Sequence, residues 1–172
     1  FQEGKHLAEK NKDREAASNI HIGYGSALKH MGREEEALSF FREAIFLAEE
    51  IKAGRILWDA HLETADILKK EGFFSEALGH YQDAIDVIEQ SRSTIDDEDL
   101  KTSFLRANRR LDVYHGAIDL LSLMHERNPD ARHLEAVFQY MERSKARGFL
   151  DSLEVGRVSA ARPGDLGIET RA

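Results

Sequence analysis

The stretch EEEALSFFREAIFLAEE at Glu34 to Glu50 returns forty residues later as FSEALGHYQDAIDVIEQ at Phe74 to Gln90. Self-similarity at a period of about 20 to 50 residues marks repeat architectures, in which each unit is one supersecondary element that buries its apolar face only against its neighbours. A chain built this way offers a surface rather than a reaction centre. Within the echo, Ala37, Leu38, Phe41, Ala44 and Ile45 align with Ala77, Leu78, Tyr81, Ala84 and Ile85. Spacings of three, four and seven are helical. The alanines let two helices cross closely and the aromatic fills the space between them, because native packing leaves few voids. Gly32 and Gly72 each stand five residues before the first alanine and follow another apolar-periodic stretch, so each reads as the end of one helix and the turn into the next. The predicted unit is a helical hairpin and the predicted fold class is all-α.

This pattern resembles the tetratricopeptide repeat, a helix-turn-helix unit of about 34 residues with small residues, a turn glycine and an aromatic at set places. Gly25, Leu28, Gly32, Ala37, Phe41 and Ala44 occupy those places in one unit, and Ala65, Leu68, Gly72, Ala77, Tyr81 and Ala84 in the next. The closing proline of the family is missing from both units, and a second helix that runs on would account for the longer period. The resemblance implies a right-handed superhelix, or solenoid, of antiparallel hairpins. Near the start, Leu7 and Ala8 stand one period before Leu47 and Ala48, so the chain is expected to open inside an earlier repeat. The expected division is 1–16 for the end of a preceding repeat helix, 17–56 and 57–96 for two full units, 97–154 for a degenerate and longer hairpin, and 155–172 for a linker or disordered tail.

The third unit departs from the first two. A long first helix precedes a break at Asn128, Pro129 and Asp130, where proline stops one helix and the next begins. Ala136 and Tyr140 keep the second-helix rhythm, but Arg143 stands where the second alanine belongs. Here the chain resembles the last repeat before a CHAT domain, the caspase-like peptidase module that follows tetratricopeptide arrays in bacterial proteins. Glu142, Arg143, Ser144, Ala146, Arg147 and Leu150 carry that likeness. A CHAT peptidase works through a histidine and cysteine pair. This chain has no cysteine, so no catalytic residue carries over and the fragment itself is expected not to be an enzyme. The resemblance implies a regulatory scaffold or sensor, with a peptidase domain of the same chain among its expected partners. The alternative from the same family is a peptide-responsive regulator of the bacterial quorum-sensing type.

Charge and composition narrow the partners. Residues 1–100 hold 12 Lys and Arg against 22 Asp and Glu, while residues 101–172 hold 12 against 10. An acidic first part repels phosphate backbones, which argues against nucleic acid as a partner. The milder basic cluster of Arg106, Arg109, Arg110, Arg143, Lys145 and Arg147 is expected to pair with acidic groups on a neighbouring repeat or domain. The sequence has no run of eighteen apolar residues and no signal-peptide pattern, so a cytoplasmic chain without a membrane partner is expected. Open repeat ends associate readily, which leaves a homo-oligomer through residues 1–10 as a further expectation.

The chain carries little that looks like chemistry. None of the eight histidines forms an HExxH pair. His115 and Asp119 lie one helical turn apart, but two such ligands make a weak site, so neither a metal nor a cofactor is predicted. The acidic run Asp96 to Asp99 lacks the alternating ligands of a calcium loop and reads as a helix N-terminus, where negative charge is favourable. The lone Trp58 reads as core filling. By the tetratricopeptide resemblance, the first helix of each hairpin lines a concave groove for a peptide or protein segment. The groove positions fall on Asn19, Ile22, Ser26, Lys29 and His30, then on Asp59, Leu62, Asp66, Lys69 and Lys70, then on Asp112, His115 and Asp119. Such a mixture of charge with apolar points at Ile22 and Leu62 suits an extended or helical ligand. Ile22 and Ser26 replace the Lys and Asn that clamp a terminal carboxylate in the chaperone-binding branch of the family, which disfavours that ligand.

Overall fold

Six helices and no strand make up the residues that the computed structural model describes, 13–90 and 100–160. They are α1 (Arg14–His30), α2 (Glu34–Glu50), α3 (Gly54–Glu71), α4 (Phe74–Gln90), α5 (Leu100–Arg127) and α6 (Ala131–Ala160). Each helix packs on the next along the chain, and α3 also touches α1 and α5. Burial runs through one continuous core from Leu28 to Tyr140.

Local signals set the boundaries. The Asp13 carboxylate accepts from Ala16 N at 2.9 Å and caps α1, which places residues 14–16 in α1 rather than in an earlier helix. Gly32 and Gly72 take φ of +74° and +89°, a left-handed turn that glycine enters without a Cβ penalty. The amide after each glycine then returns to the carbonyl of Leu28 or Leu68, both at 2.9 Å. Glu34, Glu35 and Glu36 crowd the first turn of α2, where they complement the helix dipole. Between the units Lys52 adopts φ of +54°, so the turn lacking a proline still reverses the chain.

The forty-residue period divides differently from expectation. The extra length is shared, because α1, α2 and α4 each have 17 residues and α3 has 18. Residues 54–56 already belong to α3, so the first unit closes three residues earlier than position 56. At the other end, α6 continues through Ala160, and residues 155–160 are helix rather than the start of a tail. Asp130 begins α6 by accepting from Arg132 N at 2.9 Å, directly after the Pro129 break. The expected features at residues 1–12, including the earlier repeat, the acidic run 96–99 and residues 161–172 lie outside the described residues.

Packing follows the echo. Ala37, Ala44, Ala77 and Ala84 are completely buried, as are Phe41 and Tyr81 between them. A Cβ at Gly25 would sit 2.7 Å from the Phe41 ring, and one at Gly116 would overlap the Tyr81 ring. The two glycines are therefore close-approach positions for the two aromatics. Trp58 is core, as its sequence position predicts.

Candidate functional site

The face shared by α1, α3 and α5 is bound together by charges that cross from helix to helix. Arg55 Nη2 donates to Asn19 Oδ1 at 2.7 Å. Lys29 Nζ donates to Glu63 at 2.8 Å and to Asp66 at 3.2 Å. Arg109 Nη2 reaches Glu63 at 2.8 Å and Asp59 at 2.7 Å. Asp66 also accepts from the Tyr81 hydroxyl at 2.7 Å, and Lys69 approaches Asp119 at 3.8 Å. Burial alone would raise the Glu63 pKa, but hydrogen bonds from Lys29 and Arg109 hold it below the ordinary carboxylate value. Burial works against the charge on Lys29 as well, and its two carboxylate partners outweigh it and leave the ammonium pKa raised. Asp59 behaves oppositely: burial pushes its pKa up, and Arg109 offsets only part of that. Arg109 is thus a basic residue that pairs with the neighbouring hairpin, in line with the sequence expectation.

Six of the thirteen predicted groove residues belong to this ladder: Asn19, Lys29, Asp59, Asp66, Lys69 and Asp119. Ile22 and Ser26 are half-buried on α1, and His30, Asp112 and His115 are exposed. Lys70 pairs with Glu34 on α2 instead of crossing to another first helix. Leu62 is a correction. It is only 5 % exposed and belongs to the core, so it offers no apolar anchor to a ligand. The reason is that α3 has neighbours on both sides and buries nearly its whole circumference, from Ile56 through Leu68. Among the ladder residues the charges neutralise one another, so the face is polar without being a free array of charges.

A second surface lies on α6. Leu134, Phe138, Met141, Phe149 and Leu153 are all exposed, with Phe138 and Phe149 each at 65 %. At about 100° per residue these five positions fall within an arc of about 120°. Ala136, Val137 and Tyr140 turn to the core on the other side, so α6 is apolar on two faces and, among the described residues, covered on one. Among the described residues no element covers this stripe. Its spacing of four, three, eight and four residues is visible in the sequence, but spacing alone does not say which of the two apolar faces meets the core.

The third grouping was missed by reading the sequence alone. His61 on α3 faces His80 and Asp83 on α4, with all three donor atoms within 4.8 Å of one another. The two Nδ1 atoms are 2.9 Å apart, and His61 Nδ1 lies 3.7 Å from Asp83 Oδ2. Burial, helped by the neighbouring His80, lowers the His61 pKa to about 4, and burial lowers that of His80 too. Both rings are therefore neutral at pH 7. His115 and Asp119, one helical turn apart in the sequence, lie elsewhere: His115 is exposed and Asp119 turns to Lys69.

The sequence matches no protein-family model, and no curated protein or solved structure matches it either. No helix among the described residues is long and apolar enough to cross a membrane.

Proposed function

We propose that the chain is a protein-protein interaction module, a tetratricopeptide-like scaffold or sensor whose hairpins stack as a right-handed superhelix. The observation that carries this reading is the exposed apolar stripe of α6, which has no covering element among the described residues. Neighbour-to-neighbour packing of six helices, with α3 bridging α1 and α5, supports the stacked arrangement. The module acts by binding, in a larger CHAT-type protein of bacterial, cytoplasmic character. Its partner is a protein or peptide segment, and the first partner to test is a caspase-like module of the same chain. The resemblance of Glu142 to Leu150 to the helix that leads into such modules supports testing that partner first.

A helical or extended segment with apolar anchors suits the stripe, since Phe138 and Phe149 are large enough to dominate an interface. Peptides selected from a displayed library against the chain provide the test. Ligands that bind the wild type and lose at least tenfold affinity on Phe138→Glu/Phe149→Glu support the reading. A library that yields no binder, or binders indifferent to the double variant, contradicts it. Sequencing the parent gene beyond Ala172 tests the CHAT context separately, through the presence or absence of a module with a histidine and cysteine pair.

The α1, α3 and α5 face favours a second reading, the peptide-responsive regulator. Lys29 and Arg109 each hold two carboxylates, and a peptide carrying its own charges can take over one partner of each. Binding sensitive to Lys29→Ala and not to the stripe variant would select this alternative.

A further inference from the structure

The cluster of His61, His80 and Asp83 adds a function that the interaction module does not require. We propose that these three side chains form a binding site for one divalent transition-metal ion of the zinc class, which staples α3 to α4. The donors come from two helices that the core already holds rigidly, since Ala77, Tyr81, Ala84 and Ile85 are buried on the same length of α4. His80 and Asp83 stand one helical turn apart on one face. Donors about 2.1 Å from a shared ion lie about 3.0 Å apart at right angles and about 3.4 Å apart in a tetrahedron. The observed 2.9 Å between the Nδ1 atoms and 3.7 Å from His61 Nδ1 to the carboxylate stand near those values, and with all three donor atoms within 4.8 Å of one another, rotation of the exposed Asp83 side chain toward the two rings completes the site.

The chemistry of the donors selects the ion. Two imidazoles and one carboxylate suit zinc, cobalt and nickel, whereas magnesium and calcium prefer oxygen alone. Each ring can turn a Nδ1 lone pair to the ion with its proton on Nε2. The charged groups around the rings are Asp83 and Glu76, which favour a cation, and Arg42, which opposes it. His61 is buried while the Asp83 side chain is 60 % exposed, so the ion enters from solvent and keeps a position for water. This three-ligand arrangement is that of an open zinc site.

The repeat supplies its own control. One period earlier His21, Phe40 and Glu43 stand at the same places, and His21 packs edge-on against Phe40 with ring centroids 5.8 Å apart. The hairpin therefore accommodates a phenylalanine opposite the buried histidine, and His80→Phe gives the second unit the ring pairing of the first.

Titration of the untagged, chelator-treated full chain with cobalt and then zinc tests the site, read by cobalt absorption, stoichiometry and zinc-dependent melting temperature. The wild type should bind one ion per chain and melt higher in zinc than in EDTA, with a shift that grows as zinc rises. His80→Phe should weaken zinc binding at least tenfold and abolish the shift while retaining the wild-type helical circular dichroism. Asp83→Asn, an exposed change that leaves the core intact, should also lower affinity. Wild type that binds neither ion, or zinc affinity unchanged in both variants, overturns the proposal. Equal binding of magnesium overturns it as well.

Discussion

The hairpin of α3 and α4 and the hairpin of α5 and α6 use the same small and aromatic rhythm to opposite ends. Tyr81 in the middle hairpin is wholly enclosed, hydrogen-bonded to Asp66 and pressed on Gly116 of the following helix. Its counterpart Tyr140 closes the core, yet α6 leaves Phe138 and Phe149 in the open beside it. The middle hairpin has neighbours before and after it, and among the described residues the last has a neighbour only before it. Position along the row of helices therefore decides whether an apolar residue is enclosed or left exposed.

That contrast can be broken by substitution, beginning with the largest effect. Tyr81→Ala removes an enclosed ring and its hydrogen bond to Asp66, which keeps Lys29, and should destabilise by about 3 to 5 kcal/mol in chemical denaturation. Tyr140→Ala should cost less than half as much, and equal losses would show that the two hairpins are packed alike.

Acid should find the middle hairpin next. The folded-state pKa of His61 is about 4, below the ordinary value of about 6.5, because burial and then His80 disfavour its charge. His80 is lowered for the same first reason, with Asp83 and Glu76 raising and Arg42 lowering its pKa. The unfolded chain thus takes up protons that the folded chain refuses between about pH 6.5 and 4, and stability falls as pH drops through that window. A His61→Gln variant should show a flatter decline of melting temperature across it, and an unchanged slope would remove the histidine from the account.

Overpacking comes third. Ala77 has no free surface, and Ala77→Phe should destabilise by roughly 1 to 3 kcal/mol. An unchanged melting temperature would contradict the close helix crossing. Lys29→Met, which leaves Glu63 with Arg109 and Asp66 with Tyr81, should cost about 1 kcal/mol, less at high salt. Phe138→Ser should shift stability by less than about 0.5 kcal/mol. A large loss there would mean that the stripe is already covered in the isolated chain.

Much of the frame was legible in the sequence. The period of forty, the turns at Gly32 and Gly72, the alanines around Phe41 and Tyr81 and the break at Pro129 are local or periodic signals, and each has its structural counterpart. The ends of helices were less legible, because Arg14 and Gly54 begin helices where the echo supplies no apolar residue to mark them. Leu62 was misplaced for a different reason: a groove position borrowed from a pattern does not know that α3 is flanked on both sides. The histidine cluster depends on a contact nineteen residues apart that crosses two helices, which no single-helix periodicity reveals. Setting His61 and His80 beside His21 and Phe40 is the one sequence signal that marks it.

Hydrogen exchange on the chain with and without a selected peptide ligand tests most directly whether α6 is the interaction surface. Ligand should slow exchange along residues 134–153 and leave the amides around Asn19 to Lys29 unchanged. Protection on α1 and α3 with α6 unaffected would instead assign binding to the charged face and contradict the stripe.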